Sequence, residues 1–142
     1  MTNYIRPRAK KIAWMLTLIY FGSYLMRINF AVMIVKVCSD MKIEKTALSV
    51  GLMGLTIAYG CGQLVSGFLG DKIKPEYLIT GGTALAVACN FAMFFSTSIP
   101  VMAVVWTVNG FAHSMLWPPL VKLLSAHLSD EEYAYANLRV AW

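Results

Sequence analysis

Apolar residues along this chain come in long blocks rather than at alternating or helical-stripe positions. The blocks cover Ile12–Val37, Ala47–Leu69, Leu78–Ser96 and Val101–Leu124. Each is close to or longer than the ~20 residues a helix needs to cross ~30 Å of hydrocarbon. Short charged or proline-bearing breaks separate them: Ser39-Asp40-Met41-Lys42, Asp71-Lys72-Ile73-Lys74-Pro75 and Ser98-Ile99-Pro100. The pattern predicts an all-α, polytopic membrane protein with four crossings. The first block is too long for a signal-peptide core and more spans follow it, so it should stay in the mature protein. After the fourth block, Ser129 with Glu132 three residues later is a capping box, which predicts a new helix from about residue 130.

Composition agrees with lipid as the solvent. Apolar residues make up 58% of the chain and charged residues 13%, where a soluble domain would have nearly half and a quarter. Arg6, Arg8, Lys10 and Lys11 precede the first span, Lys72 and Lys74 lie between the second and third, and Lys122 and Arg139 follow or end the fourth. The other side holds only Lys36, Lys42 and Lys45. This asymmetry places both termini in the cytoplasm, with the spans in the cell (inner) membrane. It also accounts for the net charge of +5 without a continuous basic face, so no nucleic-acid partner is expected. Cys38, Cys61 and Cys89 lack metal-type spacing, and Cys61 and Cys89 read as small buried thiols. No metal or cofactor is expected.

Arg27 stands out, because it falls slightly past the middle of the first span. If the span stopped before it, about fifteen apolar residues would remain, too few to cross. A midplane arginine costs at least ~2.5–3.5 kcal/mol on insertion scales and should face a cavity or a partner. Thr17, Tyr20, Tyr24 and Arg27 recur at intervals of three and four and share one helical face. In the second span, Gly54, Ala58, Gly62, Ser66 and Gly70 form a small-xxx-small ladder for close helix packing. Tyr59 and Gln63 share a face there and could look into the same cavity as Arg27. Gly82, Ala86 and Asn90 form a second small seam in the third span, where nothing suggests chemistry. The fourth span carries Asn109, His113 and Trp117 at four-residue spacing, then Pro118-Pro119, which should kink or break the helix. His113 reads equally well as a packed, hydrogen-bonded histidine and as a ligand or proton carrier.

Together these residues resemble a family. Tyr20-xxx-Tyr24-xx-Arg27-x-Asn29-Phe30 is similar to the first helix of the organophosphate:phosphate antiporters, major facilitator proteins that include glycerol-3-phosphate and hexose-6-phosphate transporters. Ala58-Tyr59-Gly60 with Gly67-xxx-Asp71-Lys72 and Pro75 resembles their second helix and the loop motif after it. Asn109-Gly110, Met115 and Trp117-Pro118-Pro119 resemble their fourth helix. The resemblance implies a major facilitator-type fold, of which residues 1–142 would be part of the N-terminal half. It implies antiport of a phosphate ester (sugar phosphate or glycerol phosphate) against inorganic phosphate. Arg27 would grip the phosphate, Tyr20, Tyr24, Tyr59 and Trp117 would surround it, and Gly67, Asp71 and Lys72 would form the gating loop motif. Gln63 falls where such transporters have lysine, His113 where glutamine is expected, and Ile28 where a second basic residue can occur. These departures leave the organophosphate open.

The residues fit that chemistry on their own terms, since a guanidinium offers bidentate hydrogen bonds matched to phosphate oxygens. One alternative is a complete four-helix transporter acting as a dimer, like the small multidrug exporters. Those carry cations and need a membrane-embedded carboxylate, whereas every Asp and Glu here lies outside the predicted spans. An enzyme is disfavoured, because no nucleophile–base pair or ligand cluster is apparent. Major facilitator folds repeat in units of three helices, with the site between two six-helix halves. On that pattern the chain is expected to be a fragment that lacks the later helices of its own fold and is inactive alone.

Overall fold

The computed structural model describes residues 6–141 as six helices joined by short turns. α1 (Pro7–Met41) has 35 residues and is about 52 Å long at 1.5 Å per residue. α2 (Lys45–Lys72), α3 (Pro75–Phe94), α4 (Ile99–Ser114), α5 (Trp117–His127) and α6 (Asp130–Ala141) follow. α1, α2, α3 and the α4–α5 pair are each long and apolar enough to cross a membrane. The chain reverses after each, so the starts of α1 and α6 lie at the same end of the bundle as the end of α2. Arg6 pairs with Glu132 there, and Lys122 of α5 with Asp71.

The helix ends lie two to five residues from the ends of the apolar blocks, and two places are informative. α1 continues through Ser39-Asp40-Met41 and stops only at Lys42, which adopts the left-handed conformation (φ 54°, ψ 45°). The Lys42 and Ile43 amides then close onto the carbonyls of Ser39 and Cys38, at 3.4 and 3.1 Å. Lys36 and Asp40, 3.5 Å apart at i,i+4 spacing, support that last turn. The fourth block is two helices, broken at Met115 and Leu116, just before the proline pair that is expected to kink or break it. Pro118 and Pro119 sit in the first turn of α5, where a missing amide is tolerated. In one continuous helix they would strip the carbonyls of Ser114 and Met115 of their donors.

α2 and α4 pack most closely, along the small-residue ladder. A Cβ on Gly110 would lie 2.7 Å from Leu55 Cα, and one on Gly62 would lie 2.8 Å from Ser114 Cβ. Gly82 of α3 likewise sits 2.7 Å, measured from its would-be Cβ, from the Ala112 carbonyl oxygen. Gly70, the last rung, faces open space; its carbonyl accepts from Lys122 Nζ at 2.6 Å. Two apolar clusters fill the bundle. One, at the amino-terminal end, joins α1, α3, α5 and α6 through Leu16, Ile79, Leu120 and Val140. The other, toward the far end, joins α1, α2 and α4 through Phe30, Leu55 and Trp106, with Phe30 and Trp106 rings 5.0 Å apart. Cys38 and Cys89 are buried, but Cys61 is exposed, which corrects its reading as a buried thiol: it stands about 100° around α2 from Gly62, which packs on α4.

α6 begins as its capping box predicts, with Glu132 reaching back to the Ser129 amide at 3.3 Å. The same carboxylate, itself buried, takes a two-pronged contact from Arg6, with Nε at 2.7 Å and the terminal nitrogen at 2.5 Å. The Arg6 hydrogen bond holds the Glu132 carboxyl down at about 2, from its usual 4.5. A lowered carboxyl contributes its stability above the unfolded value and loses it as pH falls toward the folded one. Docking of α6 on α1 should therefore be intact above pH 4.5 and weaken progressively down to about pH 2. Amide exchange of α6 should report this loss, and Glu132→Gln should remove its pH dependence.

Candidate functional site

Tyr20, Ser23, Tyr24 and Arg27 of α1, Tyr59 of α2, and His113 and Leu116 of the α4–α5 span line one small concavity between the two apolar clusters. Arg27, Tyr59 and His113 each lie within about three residues of the middle of their spans, so the concavity sits near mid-depth. The Arg27 guanidinium carbon stands 4.2 Å from the centre of the Tyr59 ring. A cation over an aromatic face is stabilised there without being neutralised, by ~0.5–2 kcal/mol depending on hydration. Among the described residues no carboxylate pairs with Arg27. Its charge is therefore available to an anion.

His113 is 4% exposed, and both ring nitrogens lie 2.8 Å from backbone carbonyls, Nδ1 from Asn109 and Nε2 from Ser23. A neutral ring donates to one of these and an imidazolium to both. His113 is thus packed and hydrogen-bonded, and it also lies on the wall of the concavity. The Ser23 hydroxyl is occupied by the Tyr20 carbonyl at 2.7 Å.

Two expected members lie elsewhere. Trp117 is set one layer back, its ring packed on Tyr20 at 5.2 Å and 53°. The break at Met115 and Leu116 sets it beside Tyr20 instead of one turn along from His113. Gln63, half-buried one turn beyond Tyr59, does not line the concavity. Thr17 bonds back to the Ala13 carbonyl at 2.7 Å. Of the loop motif, Gly67 faces open space, Asp71 holds Lys122 at 2.9 Å, and the Lys72 ammonium lies 4.4 Å from the Phe68 ring centre. All three lie near the end of α2, Asp71 ~18 Å along the axis from Tyr59. Ser23 and Asn90 were missed. Ser23 is three residues from Tyr20 and four from Arg27, a spacing that could have revealed it. Asn90 is a lone amide in an apolar span; it bonds Asn29 and, at 3.2 Å, the Met26 carbonyl.

Residues 16–141 match the family described as the Major Facilitator Superfamily. The chain belongs to this superfamily. Within it, the chain is 28% identical over 122 residues to a protein of Chlamydia trachomatis named "Probable hexose phosphate transport protein", covering 86% of this chain and 27% of that one. It is 29% identical over 117 residues to the glycerol-3-phosphate transporter of Bacillus subtilis, covering 80% and 26%. A membrane sensor protein of Escherichia coli is 33% identical over 76 residues, covering 54% and 17%. No solved structure gives a significant match. The resemblance to organophosphate antiporters carried by Tyr20, Tyr24, Arg27 and Trp117-Pro118-Pro119 agrees with these relatives. The chain is a multi-pass membrane protein of a transporter superfamily and not an enzyme. It spans about a quarter of the length of these relatives.

Proposed function

We propose that Arg27 binds the phosphate group of a small anionic substrate, in a transporter that exchanges a phosphate ester for inorganic phosphate. One observation carries this: a guanidinium at mid-span depth, held over Tyr59 and paired with no carboxylate among the described residues. Such a cation is costly in lipid unless an anion compensates it. A phosphate monoester supplies the charge, and its oxygens match the guanidinium fork. The tyrosines offer hydroxyls to the phosphate and ring faces to the organic part. The hexose phosphate and glycerol phosphate relatives support the same substrate class.

The concavity itself, about 10 Å³, is far below the ~300 Å³ of an enclosed ligand site. Arg27 and its neighbours form one wall, and the facing wall comes from further helices of the major facilitator fold. Vesicles containing only these 142 residues should therefore show no phosphate exchange; exchange would favour a dimer of this chain.

Calorimetry in detergent, on the chain together with the further helices that supply the facing wall, tests the binding. Inorganic phosphate should bind saturably, and glycerol 3-phosphate should compete with it while choline does not. No phosphate binding by helical protein would overturn the reading. The basic residues at the amino-terminal end support a cytoplasmic position for that end, with the spans in the inner membrane. With the native cysteines replaced, Lys42→Cys and Lys74→Cys should be labelled from opposite faces by an impermeant thiol reagent. Labelling of both from one face would rule out this topology.

A further inference from the structure

The α1 main chain beside Arg27 is held by side chains from two other helices. His113 Nε2 lies 2.8 Å from the Ser23 carbonyl, which the α1 ladder already pairs with the amide of Arg27 itself. One turn further, the Met26 carbonyl accepts from Asn90 Nδ2 at 3.2 Å and from Asn109 Nδ2 at 3.4 Å. Asn90 also donates to the Ala86 carbonyl of its own helix at 2.9 Å and accepts from Asn29. Asn109 is fully buried and Asn90 half-buried.

A helical carbonyl has a second lone pair, but side chains of other helices seldom reach it. Here three do so within a single turn, and that turn carries the guanidinium. Helices in lipid gain no hydrophobic force against one another, so polar contacts of this kind fix depth and rotation. Apolar packing around α1 at this level is thin: the Tyr24, Leu25 and Ile28 side chains are exposed. Sliding or rotating α1 would carry Arg27 off the Tyr59 ring.

We propose that Asn90, Asn109 and His113 are positioning residues that clamp the α1 backbone at Ser23 and Met26 and so aim the Arg27 guanidinium. The inference rests on the reading of Arg27 as the phosphate ligand, but the clamp can be measured without phosphate. In a nuclear magnetic resonance spectrum of the full chain, the Tyr59 ring shifts the Arg27 Nε–Hε resonance, and Tyr59→Leu gives its unshifted position. Asn90→Leu and Asn109→Leu should each move the resonance toward that position. An unmoved resonance in both folded variants overturns the clamp. Asn90→Leu, at the less buried site, decides the matter should Asn109→Leu fail to fold.

Phosphate affinity gives the second arm. Each variant should bind about tenfold more weakly, because a fork misplaced by a fraction of an ångström loses paired contacts. In an Arg27→Lys background the same substitutions should change affinity less than about twofold, because a single ammonium has no fork to aim. Equal losses in both backgrounds overturn the clamp. If the parent protein with its further helices binds no phosphate, the ligand reading fails and the resonance result alone decides the clamp.

Discussion

Arg27→Ala will abolish the binding of inorganic phosphate and of phosphate esters together, because both depend on the one group that the guanidinium holds. A charge-assisted hydrogen bond is worth ~1.5–3 kcal/mol, so loss of a two-pronged contact lowers affinity by about 10²–10⁴-fold. Arg27→Lys keeps the charge and loses the fork, and should retain a residual affinity about tenfold or more below the parent. Both variants should still insert, since removing a mid-span cation eases insertion and lysine costs about what arginine does. Calorimetry against phosphate, with helicity checked by circular dichroism, reads both effects. Unchanged affinity in Arg27→Ala would make Arg27 a structural partner of Tyr59 and nothing more.

The second large effect is expected at Gly110→Ala. Its added methyl would meet the α2 backbone, 2.7 Å from Leu55 Cα and 2.8 Å from the Leu55 carbonyl carbon. Backbone cannot yield by changing rotamer, so α2 and α4 must separate along their shared seam. Overpacking of this kind costs ~1–3 kcal/mol and more when whole helices shift. Phosphate affinity should fall as well, since Tyr59 and His113 stand on the two helices that part. Gly70→Ala is the control: with open space around it, it should be neutral or stabilising by up to about 1 kcal/mol. Thermal melts in detergent should show a markedly lower midpoint for Gly110→Ala alone. Equal midpoints would mean that the seam is looser than the structure shows.

The helices were legible in the sequence because lipid imposes one requirement, about twenty apolar residues in a row, and the breaks between them carry charges and proline. The same local logic gave α6 its start, through Ser129 and Glu132. It could not place the break at Met115 and Leu116, because a proline pair shows that a helix must yield but not on which side. The shared face of Tyr20, Tyr24 and Arg27 was legible because it needs only the helical period within one span. Tyr59 over Arg27, and Gln63 outside the concavity, depend on how two helices are rotated against each other, which no single span encodes. Asn90 was passed over for a related reason. An amide in a run of small residues reads as part of a packing seam until its partner on another helix is known.

α1 is about 52 Å long, whereas the hydrocarbon it crosses measures ~30 Å. Its surplus lies at both ends, in turns bearing Arg8, Lys10 and Lys11 at one and Lys36 and Asp40 at the other, while its grip on α3 and α4 is near the middle. Membranes of different thickness are matched by how much of each overhang enters the headgroups and by tilt, at a fraction of a kcal/mol per ångström. The mid-depth grip lies away from both overhangs. A change of lipid composition should therefore be taken up at the ends of α1 and leave the geometry around Arg27 unchanged.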